Sequence, residues 1–212
     1  DPATMITKNQ LLILALLLSV SAGAQTEPKS LLVLKPSLNV GNIAIKRDGG
    51  DPSSADSRVG YGIGLQFMQF LGERIFFTLG GDLNSRGYKG TRVVYLDAPV
   101  SMNVMLGKHK IFGFGGGAYA GMALSGKYKG TGGWTNFKFG ETATDNRSRT
   151  DYGYLVNLIY QSPGLFFATL TLMSGLKDIT PSDKQQDLYW MKLRTSQMSI
   201  VIPMSVFIKS KK

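Results

Sequence analysis

Residues 93–124 read VVYLDAPVSMNVMLGKHKIFGFGGGAYAGMAL, and this stretch decides the fold. Apolar or small residues recur at nearly every second position on both sides of a short turn at 107–109. Because successive side chains of a strand point to opposite faces, the stretch predicts two strands, each with one apolar face. The other faces are polar or small and include Asp97, Asn103 and Tyr119.

The two predicted strands are long for a globular sheet. A globular strand usually has about 5–6 residues, whereas a tilted strand that crosses a membrane needs about 9–11. Two architectures accommodate such strands: a transmembrane barrel with its apolar face toward lipid, or a long hairpin in a soluble sandwich. The rest of the chain separates the two.

Period-two patterns along the rest of the chain predict six further strands. The eight strands are 32–46, 58–70, 74–84, the pair within 93–124, 151–161, 165–174 and 188–208. Their connections alternate in length, so the short turns 71–73, 107–109 and 162–164 fall at one end and the long polar segments at the other. Short periplasmic turns and long external loops are typical of outer-membrane barrels. We therefore predict an all-β, eight-stranded antiparallel up-and-down transmembrane barrel.

Aromatic residues fall at two levels of this predicted barrel. Phenylalanines lie near the short turns, and tyrosines with Trp190 lie near the long connections. Two interfacial girdles of a membrane barrel would have this arrangement. The longest connection, 126–150, is predicted to be an exposed loop with a small hairpin at 134–139.

The first 24 residues are predicted to lie outside the barrel domain. Residues 1–4 precede a methionine and are interpreted as a cloning scar or upstream translated sequence. Residues 5–24 have a positive start at Lys8, an apolar segment at 11–20 and a small-residue cleavage site at 22–24, which are the marks of a secretory signal peptide. The predicted barrel domain is then 25–212, exported to the bacterial outer membrane.

Composition narrows the function classes. The 212 residues contain no cysteine, which excludes disulfides, thiolate metal sites and a lipidated cysteine. The 24 Lys and Arg against 14 Asp and Glu give a net charge of +10, which favours anionic partners. No dense basic run precedes the last residues, so we expect outer-membrane lipid rather than nucleic acid as the partner.

Charged residues divide into two candidate sites. Lys35, Asp82 and Asp97 alternate onto the polar strand faces and are predicted to form a polar network in the lumen, since buried charges need partners. The long connections supply candidate external contacts to lipopolysaccharide phosphates: Arg86, Lys89, Arg92, Lys127, Lys129, Arg147 and Arg149. A merely soluble loop surface is the alternative interpretation of the second set.

Catalytic chemistry has little support in the residues. His109 is the only histidine and lies in a predicted turn, so neither a histidine-based triad nor a histidine-rich metal site can be built around it. The glycines of 113–117 lack the helix and Lys-Ser/Thr of a phosphate loop, and small residues lining a narrow barrel explain them. We expect no enzyme activity, no cofactor and no metal.

Two segments resemble a known family. Tyr95-Leu96-Asp97-Ala98-Pro99-Val100 and Gly113-Phe114-Gly115-Gly116-Gly117-Ala118-Tyr119 resemble the core of the PorT-like outer-membrane β-barrel family of Bacteroidetes-type bacteria. The segments 151–153 and 175–179 fit the later strands of that family. The resemblance implies an eight-stranded outer-membrane barrel, and one branch of the family belongs to a secretion apparatus.

We expect a small integral outer-membrane barrel with a structural or loop-mediated interaction role. An eight-stranded barrel has room inside mostly for side chains, so a wide pore is not expected. Three alternatives stay open: a secreted, soluble lipocalin-like barrel that binds an apolar ligand, a narrow small-solute or proton channel, and a secretion-apparatus component. An unknown protein partner at the external loops is also expected.

Overall fold

The computed structural model describes residues 30–47, 53–142, 144–162, 166–181 and 189–204. The predictions for residues 1–24 and for strand residues 205–208 lie outside the described residues. The strands are β1 (Ser30–Arg47), β2 (Ser53–Ser54), β3 (Arg58–Phe70), β4 (Ile75–Arg86), β5 (Thr91–Leu106), β6 (Phe112–Gly130), β7 (Gly133–Asn136), β8 (Thr150–Gln161), β9 (Phe167–Gly175) and β10 (Tyr189–Pro203).

The eight long strands form one closed antiparallel ring. They pair in the order β1, β3, β4, β5, β6, β8, β9, β10, and β10 returns to pair with β1. The short strands β2 and β7 pair with β1 and with the end of β6, and neither takes part in the closure. The eight-stranded up-and-down barrel predicted from the sequence is therefore confirmed.

The two faces of the strands have opposite chemistry. In β5, Leu96, Val100 and Met102 point outward and are exposed, whereas Asp97 and Asn103 point inward and are buried. The same alternation holds along most of the other barrel strands, as the exposed apolar residues of β3 and β8 show. A soluble lipocalin-like barrel requires an apolar interior and a polar exterior, so this alternative is wrong.

Strands β4 and β6 are among those that extend beyond their predicted ends. β4 continues two residues further, to Arg86, and β6 continues to Gly130 before it turns back into β7. The predicted hairpin at 134–139 is therefore wrong in position, because the hairpin joins the end of β6 to β7 and spans 127–136. A register shift between Val94 and Tyr95 interrupts the β5–β6 ladder near this end, and bulges of this kind bend and twist a strand locally.

An apolar cluster fills the lumen at the short-turn end. Its buried members are Val33, Met68, Phe76, Met105, Ile159, Phe167 and Val201. Phe76 and Phe167 therefore line the interior. The prediction that they belong to an interfacial girdle is wrong for these two residues. Their ring centroids lie 6.3 Å apart, within the usual range for an aromatic pair.

Among the described residues, no helix is long and apolar enough to cross a membrane.

Candidate functional site

The centre of the lumen contains an ion pair between β1 and β4. Lys35 Nζ donates to Asp82 Oδ2 at 2.9 Å, and both side chains are buried. Gln66 Nε2 on β3 donates to both oxygens of the same carboxylate, at 3.0 and 3.2 Å. Asp82 thus accepts hydrogen bonds from two strands, which offsets the cost of removing its charge from water.

A separate group of amides surrounds the next carboxylate, Asp97. Asn84 Nδ2 donates to Asp97 Oδ2 at 2.7 Å, while Asn84 Oδ1 accepts from Asn39 at 3.2 Å and from Gln197 at 3.0 Å. Gln197 also donates to Ser37 Oγ at 3.1 Å. Strands β1, β4, β5 and β10 are therefore joined through the lumen as well as through their ladders.

Closer to the long-loop end lies an arginine layer, which we define as Arg86, Asp97, Asp151, Tyr95 and Tyr119. The Arg86 guanidinium forms ion pairs with Asp97 and, at 3.4 Å, with Asp151. Its Cζ lies 4.9 Å and 5.2 Å from the ring centroids of Tyr95 and Tyr119, and Tyr119 Oη donates to Asp151 Oδ2 at 2.9 Å. Carboxylates and aromatic rings thus surround one buried cation.

Above the arginine layer, residues of the long connections cover the barrel. Arg147 is 1% exposed, and its Cζ lies 5.6 Å from the Tyr88 ring centroid and 5.3 Å from that of Phe137. Ile179, from the connection after β9, is fully buried in the apolar cluster that includes Tyr95. We call Tyr88, Phe137, Phe139, Arg147 and Ile179 the external cap.

A small cavity lies among these layers. An interior cavity of about 40 Å³ lies beside Lys35, Asp82 and the apolar cluster at the short-turn end. At about 10–15 Å³ for each water, the cavity has room for about three waters. The described residues contain no group of three or more His, Asp or Glu side chains placed to hold a metal ion. His109 is exposed in its turn.

The structure separates the candidate residues into interior and exterior sets. Lys35, Asp82 and Asp97 lie buried in the lumen. Lys89, Arg92, Lys127, Lys129 and Arg149 are exposed at the long-loop end. Arg86 and Arg147, which the sequence analysis placed among the external contacts, are 2% and 1% exposed. That assignment is wrong for both, because their guanidinium groups face the interior and cannot reach an external phosphate.

The sequence pattern places Asp97 and Tyr119 of the arginine layer on inward faces, but the inward positions of Arg86 and Asp151 were missed, although a signal for both was present. Arg86 has the same strand parity as Asp82 and Asn84, so a β4 strand two residues longer would have placed it inside. Asp151 has the parity of the inward-facing Gly153 and Leu155 at the start of β8. No comparable signal exists for Arg147, because it lies in a long irregular connection.

Among the exposed residues, Lys89 forms an ion pair with Asp56 across the loop end, with 2.8 Å between Nζ and Oδ2. The hydrogen bond and the charge of Lys89 lower the pKa of Asp56, and Asp56 raises the pKa of Lys89 in return. Arg92 instead lies over an aromatic ring, with its Cζ 5.8 Å from the ring centroid of Tyr61.

A closed strand ring with an apolar exterior and a filled polar interior defines a transmembrane β-barrel of the outer-membrane type, whose place is the bacterial outer membrane. In this class every backbone group of the ring is paired between strands, which lets the exterior face lipid.

The chain is similar in fold to small outer-membrane proteins of known structure. It is 13% identical to Ail, the attachment invasion locus protein of Yersinia pestis, over 81% of this chain and 98% of that one, with a TM-score of 0.46. It is 8% identical to Neisserial surface protein A over 80% of this chain and 96% of that one, with a TM-score of 0.46. It is 11% identical to OprG of Pseudomonas aeruginosa over 82% of this chain and 93% of that one, with a TM-score of 0.38. No family model and no curated protein matches the sequence.

Proposed function

We propose that this chain is a non-enzymatic outer-membrane barrel with a structural and loop-mediated contact role, closed to the diffusion of solutes. The single observation that carries the proposal is the filled lumen. Apolar side chains close the short-turn end, paired charges and amides fill the middle, and the arginine layer lies beneath the external cap. A solute would have to displace buried charges from their partners in order to pass, which is costly.

The contact role is supported by the long-loop end. The hairpin of β6 and β7 presents Trp134, whose side chain is 57% exposed, next to Lys129, its partner in the strand register. Exposed tryptophans are frequent energetic anchors of protein interfaces. Lys89, Arg92, Lys127, Lys129 and Arg149 surround this end and favour phosphate groups of the outer-leaflet lipid. Both a lipid and a protein partner are part of the proposal.

Membership of the PorT-like family belongs to the same proposal. Its support is the sequence of the β5–β6 hairpin, where Asp97 and Tyr119 of the two resembling segments both point into the lumen. Nothing in the hairpin selects the secretion-apparatus branch.

The proposal is tested by bilayer recordings on the full chain folded into lipid. We expect heat-dependent mobility in SDS gels, which reports a closed barrel, together with no conductance steps. A diffusion porin in the same bilayers is the positive control. Regular ohmic steps from the folded protein would overturn the closed-barrel assignment.

A narrow proton or small-solute path is the second candidate, because a cavity with room for about three waters lies beside Lys35 and Asp82. Liposomes with an internal pH-sensitive dye distinguish the two. We expect proton entry no faster than into empty liposomes. Faster entry that Asp82→Asn abolishes would favour the path.

A further inference from the structure

A groove of about 810 Å³ lies on the outer flank of the barrel, where β3 to β6 approach the long-loop end. The wall of the groove nearer the middle of the barrel is apolar. It is formed by the outward-facing, exposed side chains of Ile63, Leu83 and Leu124. We call this feature the flank groove. Its wall is continuous with the exterior that faces lipid, so an acyl chain of the surrounding membrane has direct access to it.

The rim of the flank groove at the long-loop end is cationic. Arg92, Lys127 and Arg149 line it, and no carboxylate lies among the described residues that line the groove. Arg92 and Lys127 are direct partners in the β5–β6 register, an arrangement in which like charges repel. An anion between them removes the repulsion. The Tyr61 ring holds the Arg92 guanidinium beside the groove.

A buried hydroxyl lies at the base of the flank groove. Ser85 lines it and is only 6% exposed, and its Oγ has no hydrogen-bond partner in the part of the chain that the structure describes. An unpartnered buried hydroxyl is costly in free energy. A phosphate or sugar oxygen in the groove would accept a hydrogen bond from the Ser85 hydroxyl.

We propose that the flank groove binds one molecule of an outer-leaflet glycolipid that carries phosphate on its sugar headgroup. The phosphate lies among Arg92, Lys127 and Arg149, and an acyl chain follows the apolar wall. The two halves together require an acyl lipid that carries net negative charge. A soluble anion makes no use of the wall, and a zwitterionic phospholipid leaves the three cations without a net negative partner. The inference rests on the proposed membrane role and names the lipid class for it.

The test measures binding of a phosphorylated acyl glycolipid, lipid A, to the detergent-folded full chain. The probes for comparison are dephosphorylated lipid A, phosphatidylcholine and glucosamine phosphate without acyl chains. We expect lipid A to bind at least about tenfold more tightly than each of these, since charge-assisted hydrogen bonds and burial of the acyl chain are both needed. Equal binding of glucosamine phosphate would reduce the groove to an anion patch and overturn the proposal.

Two variants test the two halves of the groove. Neutralising its rim with Arg92→Gln, Lys127→Gln and Arg149→Gln should weaken lipid A binding by about tenfold or more. The matched control removes the same charge from exposed residues elsewhere, with Lys46→Gln, Arg74→Gln and Lys108→Gln, and should leave binding unchanged. Equal weakening by both sets would show attraction by net charge alone and would overturn the proposal.

The second variant blocks the groove without changing charge. Ser125→Trp fills the groove, which Ser125 lines, and should weaken lipid A binding. Ser196→Trp places the same side chain on exposed strand β10, away from the groove, and should not. Unchanged binding in Ser125→Trp would overturn the assignment of the acyl chain to this wall.

Heat-dependent gel mobility is measured on every variant before binding, so that only folded protein is compared. A folded, non-conducting barrel without preference for lipid A overturns this inference and leaves the closed-barrel assignment of the proposed function intact. Conductance steps together with selective lipid binding would overturn the closed-barrel assignment and support the lipid site.

Discussion

Asp82 and Asp97 are direct partners in the β4–β5 register, and both carboxylates point into the lumen. A different cation meets each of them: Lys35 from β1 meets Asp82, and Arg86 from β4 meets Asp97. Two like charges on adjacent inward positions repel in a medium of low dielectric constant. The interior therefore depends on both cations, and the consequences of removing each can be measured.

Removal of Arg86 should be among the most costly single changes in the barrel. Arg86→Met leaves Asp97 and Asp151 buried without their shared cation, and we expect a loss of about 3–5 kcal/mol in the free energy of unfolding. Urea unfolding in lipid vesicles measures it. Arg92→Met, at an exposed position, is the control and should change the same free energy by no more than about 0.5 kcal/mol. Adding Asp97→Asn and Asp151→Asn to Arg86→Met should recover most of the loss.

Two lysine ion pairs have the same nitrogen–oxygen separation but differ in burial. We expect burial to decide how much each pair contributes to the free energy of unfolding. Lys35–Asp82 and Lys110–Glu73 both have 2.9 Å between nitrogen and oxygen, but only the first pair is buried. A double-mutant cycle on Lys35→Met and Asp82→Asn should give a coupling of about 0.5–3 kcal/mol. The same cycle on Lys110→Met and Glu73→Gln should give about 0–1 kcal/mol. Equal couplings would contradict the buried network.

Two glycines of the barrel strands should respond in opposite ways to alanine. A Cβ at Gly117 would overlap Val100 O and come within 2.7 Å of Ser101 Cα on the neighbouring strand, whereas a Cβ at Gly81 meets nothing within 4 Å. We expect Gly117→Ala to lower the free energy of unfolding by about 1–3 kcal/mol. Gly81→Ala should leave it unchanged or raise it by at most about 1 kcal/mol. Urea unfolding compares them, and similar effects would mean that β5 does not approach Gly117 so closely.

The loop-end pair Asp56–Lys89 should make a small, pH-dependent contribution to stability. Lys89 lowers the pKa of Asp56 below its ordinary value of 3.8. A carboxyl group whose folded pKa is lowered contributes its stabilisation above the unfolded pKa and loses it as the pH falls through the folded pKa. The contribution should therefore be complete at neutral pH and disappear in acid below about pH 4.

Carbon-13 NMR titration of the Asp56 carboxyl group checks this prediction. Lys89→Met should raise the pKa of Asp56 toward 3.8. Lys110→Met, which removes the partner of Glu73 at the opposite end, should leave the Asp56 titration unchanged while it raises the pKa of Glu73. An Asp56 pKa that does not respond to Lys89→Met would mean that the pair does not form.

The barrel could be predicted from the sequence because lipid and lumen impose opposite demands on alternate residues. In β5 the alternation of Leu96, Val100 and Met102 with Asp97 and Asn103 needs no knowledge of neighbouring strands. The order of short and long connections then fixed which strands are adjacent. Lys35, Asp82 and Asp97 followed from the same alternation.

The remaining interior could not be predicted by the same means. Phe76 and Phe167 occupy inward-facing positions of their strands. In the sequence, however, they lie beside short turns, which is also where the aromatic residues of an interfacial girdle lie. Arg147 and Ile179 reach the lumen from irregular connections, where no periodic pattern reports orientation. The register shift near Val94 depends on how β5 and β6 bend together, which is a property of two strands rather than of either sequence.

The pairing of β1 with β10 has a consequence for the order of events in biogenesis. Val33 pairs with Pro203, so the ring cannot close until the chain has been synthesised and delivered as far as β10. Until that moment the first and last strands both have open edges, and open edges invite pairing with other chains. Contacts between such distant segments also form slowly. The exported chain thus has a vulnerable interval before closure, during which a chaperone or an assembly machine would have to shield these two strands.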